Sequence, residues 1–236
     1  MSENTLSPED KKTVTKRVVS TALWFAGIFI AGLLFKGILI LTDDRKNPER
    51  SEQVIIEGIK CLSDNDYKSA IEKFDRAIRL DSLNAYAYVY RGRAYFMQNK
   101  PDEALEDLNK AIAKNRTSFE AYLYRADLYY AKEEYSSAFD DYSKSIELSP
   151  NAEAYAGKGN IYHKMGNPVE AINYYTEALE LMPEYAEIYY LRGNLYNQQA
   201  LYDVAIGDFN RAIELNPNEI KYKQNRDFAM KLKGSD

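Results

Sequence analysis

The chain has 236 residues, with 31 Lys+Arg against 36 Asp+Glu, one His, one Cys, one Trp and 21 Tyr. A single cysteine and a single histidine exclude an internal disulfide framework and the cysteine-cluster, multi-histidine zinc and non-haem iron sites within one chain. The net charge of −5 lacks the basic excess that duplex nucleic acid attracts, so no nucleic-acid partner is expected.

In chain order, residues 1–17 are a polar tail and residues 18–41 are almost wholly apolar (VVSTALWFAGIFIAGLLFKGILIL). At ~1.5 Å per helical residue that run is about 36 Å long, enough to cross a ~30 Å hydrocarbon core. Lys36 interrupts it near its end, where a lysine stem can snorkel. The polar lead, the length of the run and the lack of a small-x-small pattern at Thr42, Asp43, Asp44 and Arg45 argue against a cleaved signal peptide. A transmembrane helix in contact with lipid is expected over 18–41, followed by a linker at 42–50. Lys11, Lys12, Lys16 and Arg17 precede the run and Arg45, Lys46 and Arg50 follow it. The count favours a single-pass protein with a cytoplasmic N-terminus and its remaining domain on the opposite side.

Beyond Asn47 the sequence repeats. Small residues recur at Gly58, Gly92, Ala126, Gly159 and Gly193, spaced 34, 34, 33 and 34 apart. Twelve positions later stand Ala70, Ala104, Ala138, Ala171 and Ala205, and seven further Ala77, Ala111, Ser145, Ala178 and Ala212. Large residues lie between these two columns: Phe74, Leu108, Tyr142, Tyr175 and Phe209. Tyrosine accounts for most of two more columns, Val54, Tyr88, Tyr122, Tyr155, Tyr189 and Cys61, Tyr95, Tyr129, Tyr162, Tyr196. A period of ~34 residues with such columns marks a helix–turn–helix solenoid, in which small residues let backbones approach and large ones fill the gap. Asn167-Pro168 with Glu170 reads as a capped helix start, and Pro150, Pro183 and Pro217 each end a second helix.

These columns resemble the tetratricopeptide repeat (TPR) family over five units: 51–84, 85–118, 119–151, 152–185 and 186–219. The resemblance implies an all-α fold, a right-handed α-solenoid of helix–turn–helix repeats. Ser82 and Arg116 replace the terminal proline of the first two units. Residues 220–236 read as an amphipathic capping helix and tail, which a solenoid needs at its open end.

Catalytic chemistry finds no foothold, and no cofactor or metal is expected. Gly157-Lys158-Gly159 falls within a repeat column rather than a phosphate loop. His163 has no paired nucleophile, Cys61 occupies a packing column, and the acidic pairs Asp140-Asp141 and Glu133-Glu134 read as solvated faces. Asn115-Arg116-Thr117 matches an N-glycosylation acceptor in an inter-repeat turn.

The resemblance implies a concave groove, lined by each unit's first helix, that binds a protein or peptide segment. Its expected lining is Ile55 and Ile59; Tyr86, Val89, Arg93 and Phe96; Leu123, Asp127 and Tyr130; Asn160, His163 and Lys164; and Tyr190, Asn194, Asn197 and Gln198. The early units read as apolar anchors and the later ones as amides that pair with a ligand backbone. Family members that dock chaperones grip a C-terminal carboxylate with Lys, Asn and Arg. Here Ile55, Ile59, Tyr90, Glu120 and Tyr124 hold those places, so no such docking is expected. The expected function is a membrane-anchored, non-enzymatic scaffold for assembly of a membrane complex. The alternatives are a precursor-import receptor and a stoichiometric structural subunit.

Overall fold

The computed structural model describes residues 47–234, and every regular element among them is an α-helix. In order these are α1 (Pro48–Ser63), α2 (Tyr67–Leu80), α3 (Ala85–Met97), α4 (Pro101–Lys114), α5 (Phe119–Ala131), α6 (Tyr135–Leu148), α7 (Ala152–Lys164), α8 (Pro168–Leu181), α9 (Ala186–Gln198), α10 (Tyr202–Leu215) and α11 (Ile220–Lys233). Odd and even helices pair as hairpins, each hairpin packs on the next, and α11 closes the row against α10 and α9. The result is an all-α solenoid with no strands among the described residues. The first helix starts at Pro48, ahead of the repeat column, because the Asn47 side chain accepts the Arg50 N–H at 3.1 Å and proline suits the first turn.

The apolar run 18–41 lies outside the described residues. Among the described residues no helix is long and apolar enough to cross a membrane. These helices have 13 to 16 residues, short of the ~20 a span needs, and their apolar faces are buried against one another. The expected placement as a single-pass membrane protein, with its assignment of sides, is corrected accordingly.

The columns form the core. All five alanines from Ala70 to Ala205 are fully enclosed, as are Phe74, Leu108, Tyr175 and Phe209. A Cβ on Gly159 would come within 2.6 Å of the Tyr175 ring, so the first small column lets the large residue lie flat on the facing backbone. Unit three departs from this. Ala126 replaces glycine, and the Tyr142 ring instead lies under Gly157 of the next unit, where a Cβ would come within 2.3 Å of it. The same Gly157 that suggests a phosphate loop in the sequence is therefore a packing glycine.

The five turns within the hairpins share one geometry. Asn65, Asn99, Glu133, Gly166 and Ala200 all have positive φ, and the residue after each donates its N–H to the carbonyl of Cys61, Tyr95, Tyr129, Tyr162 or Tyr196 at 2.9 Å. This is the Schellman closure of a helix C-terminus, and only one of the five turns uses glycine for it. The following residue caps the next helix through its backbone carbonyl, which accepts from the alanine column. Asn167 does so too and makes no side-chain cap bond, which corrects the capping-box expectation. Its N–H is committed to Tyr162 and its carbonyl to Ala171.

Arginine explains the column tyrosines of units two, three and five. Arg91, Arg125 and Arg192 each make a two-pronged pair with an aspartate 16 residues on, at 2.6 to 2.9 Å: Asp107, Asp141 and Asp208. A third nitrogen reaches back 16 residues to Asp75, Asn109 or Thr176 on the preceding unit. Each guanidinium also lies within 6.0 Å of the ring centroids of the tyrosines three before and four after it. Three helices and two rings thus meet on one planar cation, a role that lysine cannot fill.

Candidate functional site

Two adjoining depressions run along the first helices. One, ≈ 190 Å³, is lined by Ile59, Leu62, Ser63, Asn65, Tyr67, Arg93 and Met97. The other, ≈ 240 Å³, is lined by Arg93, Phe96, Met97, Leu123, Tyr124, Asp127 and Glu153. Arg93 and Met97 border both, so the two form one cleft across α1, α3 and α5 that ends at the first turn of α7. Arg93 lies 4.8 Å from the Tyr124 ring centroid and donates from Nη1 to its hydroxyl at 2.9 Å. Burial pushes that phenol up to about 12, so it stays protonated at neutral pH.

Asp127 is the cleft's unusual group. The Tyr142 hydroxyl donates to its Oδ1 at 2.7 Å from beneath Gly157. Burial holds its carboxyl above the usual carboxylate range, and Glu153 adds to this. The Tyr142 hydrogen bond and the nearby Arg93 charge pull the other way. A ligand donor or cation reaching this carboxylate would meet it partly desolvated, which strengthens the contact.

The structure brings Ile59, Arg93, Phe96, Leu123 and Asp127 together, and it adds Leu62, Met97, Tyr124 and Glu153. Met97 directly follows Phe96 in sequence, and Tyr124 directly follows Leu123. Met97 is absent from the expected lining, and Tyr124 enters the sequence reading only as one of the residues at the places of the missing carboxylate grip.

Other expected lining residues are placed elsewhere. Val89 is wholly enclosed against Ala111 and Ala121 because its face of α3 meets the next unit, and Ile55 is buried in the first core cluster for the same reason. Tyr130 packs on Tyr135 across its own turn, with ring centroids 5.7 Å apart. Tyr86 stands exposed on the first turn of α3, His163 is half-buried on the last turn of α7, and neither borders the cleft.

The amide end is also differently arranged. The Tyr175 hydroxyl donates to Asn160 Oδ1 at 2.7 Å, so one of the two acceptor sites of that oxygen is already taken. Asn194 Oδ1 accepts from Asn225 of α11 at 2.7 Å, and Tyr190 lies 5.0 Å from the Tyr222 ring. The capping helix occupies the place of a sixth first helix and covers both residues. The Asn197 side-chain oxygen is enclosed, without a hydrogen-bond partner among the described residues. Asn115 accepts from Thr117 N and Oγ1 in a local turn.

Family models described as tetratricopeptide repeat match residues 62–118, 152–185 and 186–219, and one described as TPR repeat matches 126–166. A comparison with curated proteins returns no match. Among solved structures the chain is similar to TTC0263, a thermophilic TPR protein of Thermus thermophilus. That likeness has 19% identity and a TM-score of 0.64, and covers 76% of this chain and 98% of that one. It is also similar to MamA, with 28% identity, a TM-score of 0.56 and coverage of 70% and 97%. A third likeness is to YrrB, described as a TPR protein with an unusual peptide-binding site, with 22% identity, a TM-score of 0.56 and coverage of 82% and 97%. Hairpin architecture, residue columns and matches spanning more than half of its length agree: the chain belongs to the tetratricopeptide-repeat family.

Proposed function

We propose that the chain is a non-enzymatic adaptor that holds a protein partner by a peptide segment laid along the α1–α3–α5 cleft, in the service of assembling a larger complex. Protein–protein interaction is the general work of TPR scaffolds. The observation that carries the finer reading is the continuity of the cleft through Arg93 and Met97, with apolar walls (Ile59, Phe96, Leu123) and charge at its centre. The hydroxyls of its lining are engaged locally: Ser63 donates to the Ile59 carbonyl, Tyr67 donates to Asn65 Oδ1, and Tyr124 accepts from Arg93. The preferred ligand pairs bulky apolar side chains with a donor or cation for Asp127. This replaces the expectation that amides hold one end of the ligand through its main chain.

The test uses peptides selected from a random library on the full-length chain. Phe96→Ala and Arg93→Ala should each weaken their binding about tenfold, the worth of ~1.4 kcal/mol, at unchanged melting temperature. Unaltered binding in both variants contradicts the reading.

A further inference from the structure

The arginine ladder has a gap, and beside the gap lies a depression roomier than either part of the cleft. Unit four carries Lys158 where units two, three and five carry Arg91, Arg125 and Arg192. Sixteen residues on, where aspartate stands in those three, it carries Tyr174. The equivalent polar group on the preceding unit is Ser143, whose hydroxyl donates instead to the Phe139 carbonyl at 2.7 Å. Among the described residues no carboxylate lies within ion-pair distance of Lys158. Its ammonium sits 4.1 Å from the Phe139 ring centroid and 4.7 Å from that of Tyr174. Burial lowers its pKa, with no acid to offset the effect.

One of these rings, Phe139, also walls a pocket of ≈ 350 Å³ between α6 and α7, whose other lining residues are Tyr135, Ser136, Asp140, Ile161, Tyr162 and Met165. Tyr162 meets Phe139 edge-on at 5.9 Å and stacks on Tyr174 at 5.4 Å. Lys158, Ile161, Tyr162 and the C-cap Met165 follow one stripe of α7, so the Lys158 Cβ stands one helical turn, about 5–6 Å, from those of Ile161 and Tyr162 in the pocket wall. Asp140 is exposed at the rim. Both helix ends at the pocket, the start of α6 and the end of α7, adjoin intra-hairpin turns. The pocket shares none of the lining of the α1–α3–α5 cleft.

The geometry points to a second docking site on this seam, one that takes a peptide carrying a bulky apolar side chain and, two residues away, a carboxylate. In an extended segment residues i and i+2 lie on one face ~6.5–7 Å apart, so one side chain can enter the pocket while the next on that face reaches the ammonium beside Phe139. The apolar group fills the ring-walled pocket, and the carboxylate supplies the anion that the other units find in their own aspartate. Asp140 at the rim repels a ligand acid there and so sets its direction along the seam.

The probe is the pentapeptide acetyl-Ser-Phe-Ser-Glu-Ser-amide, titrated into the full-length chain by heteronuclear NMR beside its Gln-for-Glu twin. The Glu peptide should bind about fivefold more tightly, the worth of a half-exposed ion pair, with shifts centred on Phe139, Lys158 and Tyr162. Lys158→Gln should erase the difference between the two peptides, and Lys158→Arg should keep it. Equal affinity of the twins for the native chain overturns the proposal, as does the absence of a saturable shift. Shifts centred on Arg93, Phe96 and Tyr124 also overturn it while leaving the cleft reading in place.

Discussion

Units three and four are built on the same columns and differ at the cation between their paired helices. In unit three Arg125 joins Asp141 of its own hairpin to Asn109 of the one before, and two tyrosines flank the guanidinium. In unit four Lys158 makes no hydrogen bond among the described residues and rests on two rings. A half-buried cation bonded through all three of its nitrogens links neighbouring hairpins, whereas an equally half-buried one with no acid partner among the described residues leaves polar potential at its seam. The solenoid is thus tied by charge at three seams and by aromatic contact at the fourth.

The largest effect comes from cutting a tie. Asp107→Ala removes the near-fully buried partner of Arg91 and should cost about 3–5 kcal/mol in chemical denaturation, because the guanidinium is left enclosed with only Asp75. A loss below ~1 kcal/mol would mean that the ladder does not hold the hairpins. Ala138→Leu and Ala171→Leu insert bulk where backbones meet in units three and four, and each should cost ~1–3 kcal/mol by the same measurement. The damage should spread to neighbouring hairpins as faster amide exchange, because repeat stability is coupled to adjacent units.

Ala200→Gly probes a turn rather than a seam. With φ of 60°, Ala200 occupies the left-handed region at a cost of ~1 kcal/mol that glycine avoids, so this variant should melt a few degrees higher. Gly166 already fills the same place in unit four. The smallest effect belongs to the gap itself. Lys158→Met should change stability by no more than ~0.5 kcal/mol, since no acid loses its partner. Arg192→Met, which strands Asp208, should approach the cost of Asp107→Ala. Equal losses for these two methionine variants would erase the distinction between units.

The hairpins and their core were legible in the sequence because small and large residues at fixed spacing can satisfy close packing in only one way. The arginine ladder was present as well, in Arg and Asp 16 residues apart, but charges on helices read as solvated until two helices are known to face each other. Glu133 and Ala200 carry no glycine signal for positive φ, so the shared turn geometry became visible only in the backbone. The site was half legible. Ile59, Arg93, Phe96, Leu123 and Asp127 follow from helical spacing, whereas the burial of Val89 depends on the next hairpin. The covering of Tyr190 and Asn194 depends on α11, whose side chains a period-34 argument does not place.

The claim that the cleft holds the partner is tested most directly by site-specific photo-crosslinking. A photoreactive residue at Met97, exposed and bordering both depressions, is compared with one at Glu106 on the solvated side of α4. The account predicts that selected peptides crosslink at Met97 and not at Glu106, and that Phe96→Ala diminishes the yield. Crosslinking at Glu106 with none at Met97 would contradict it.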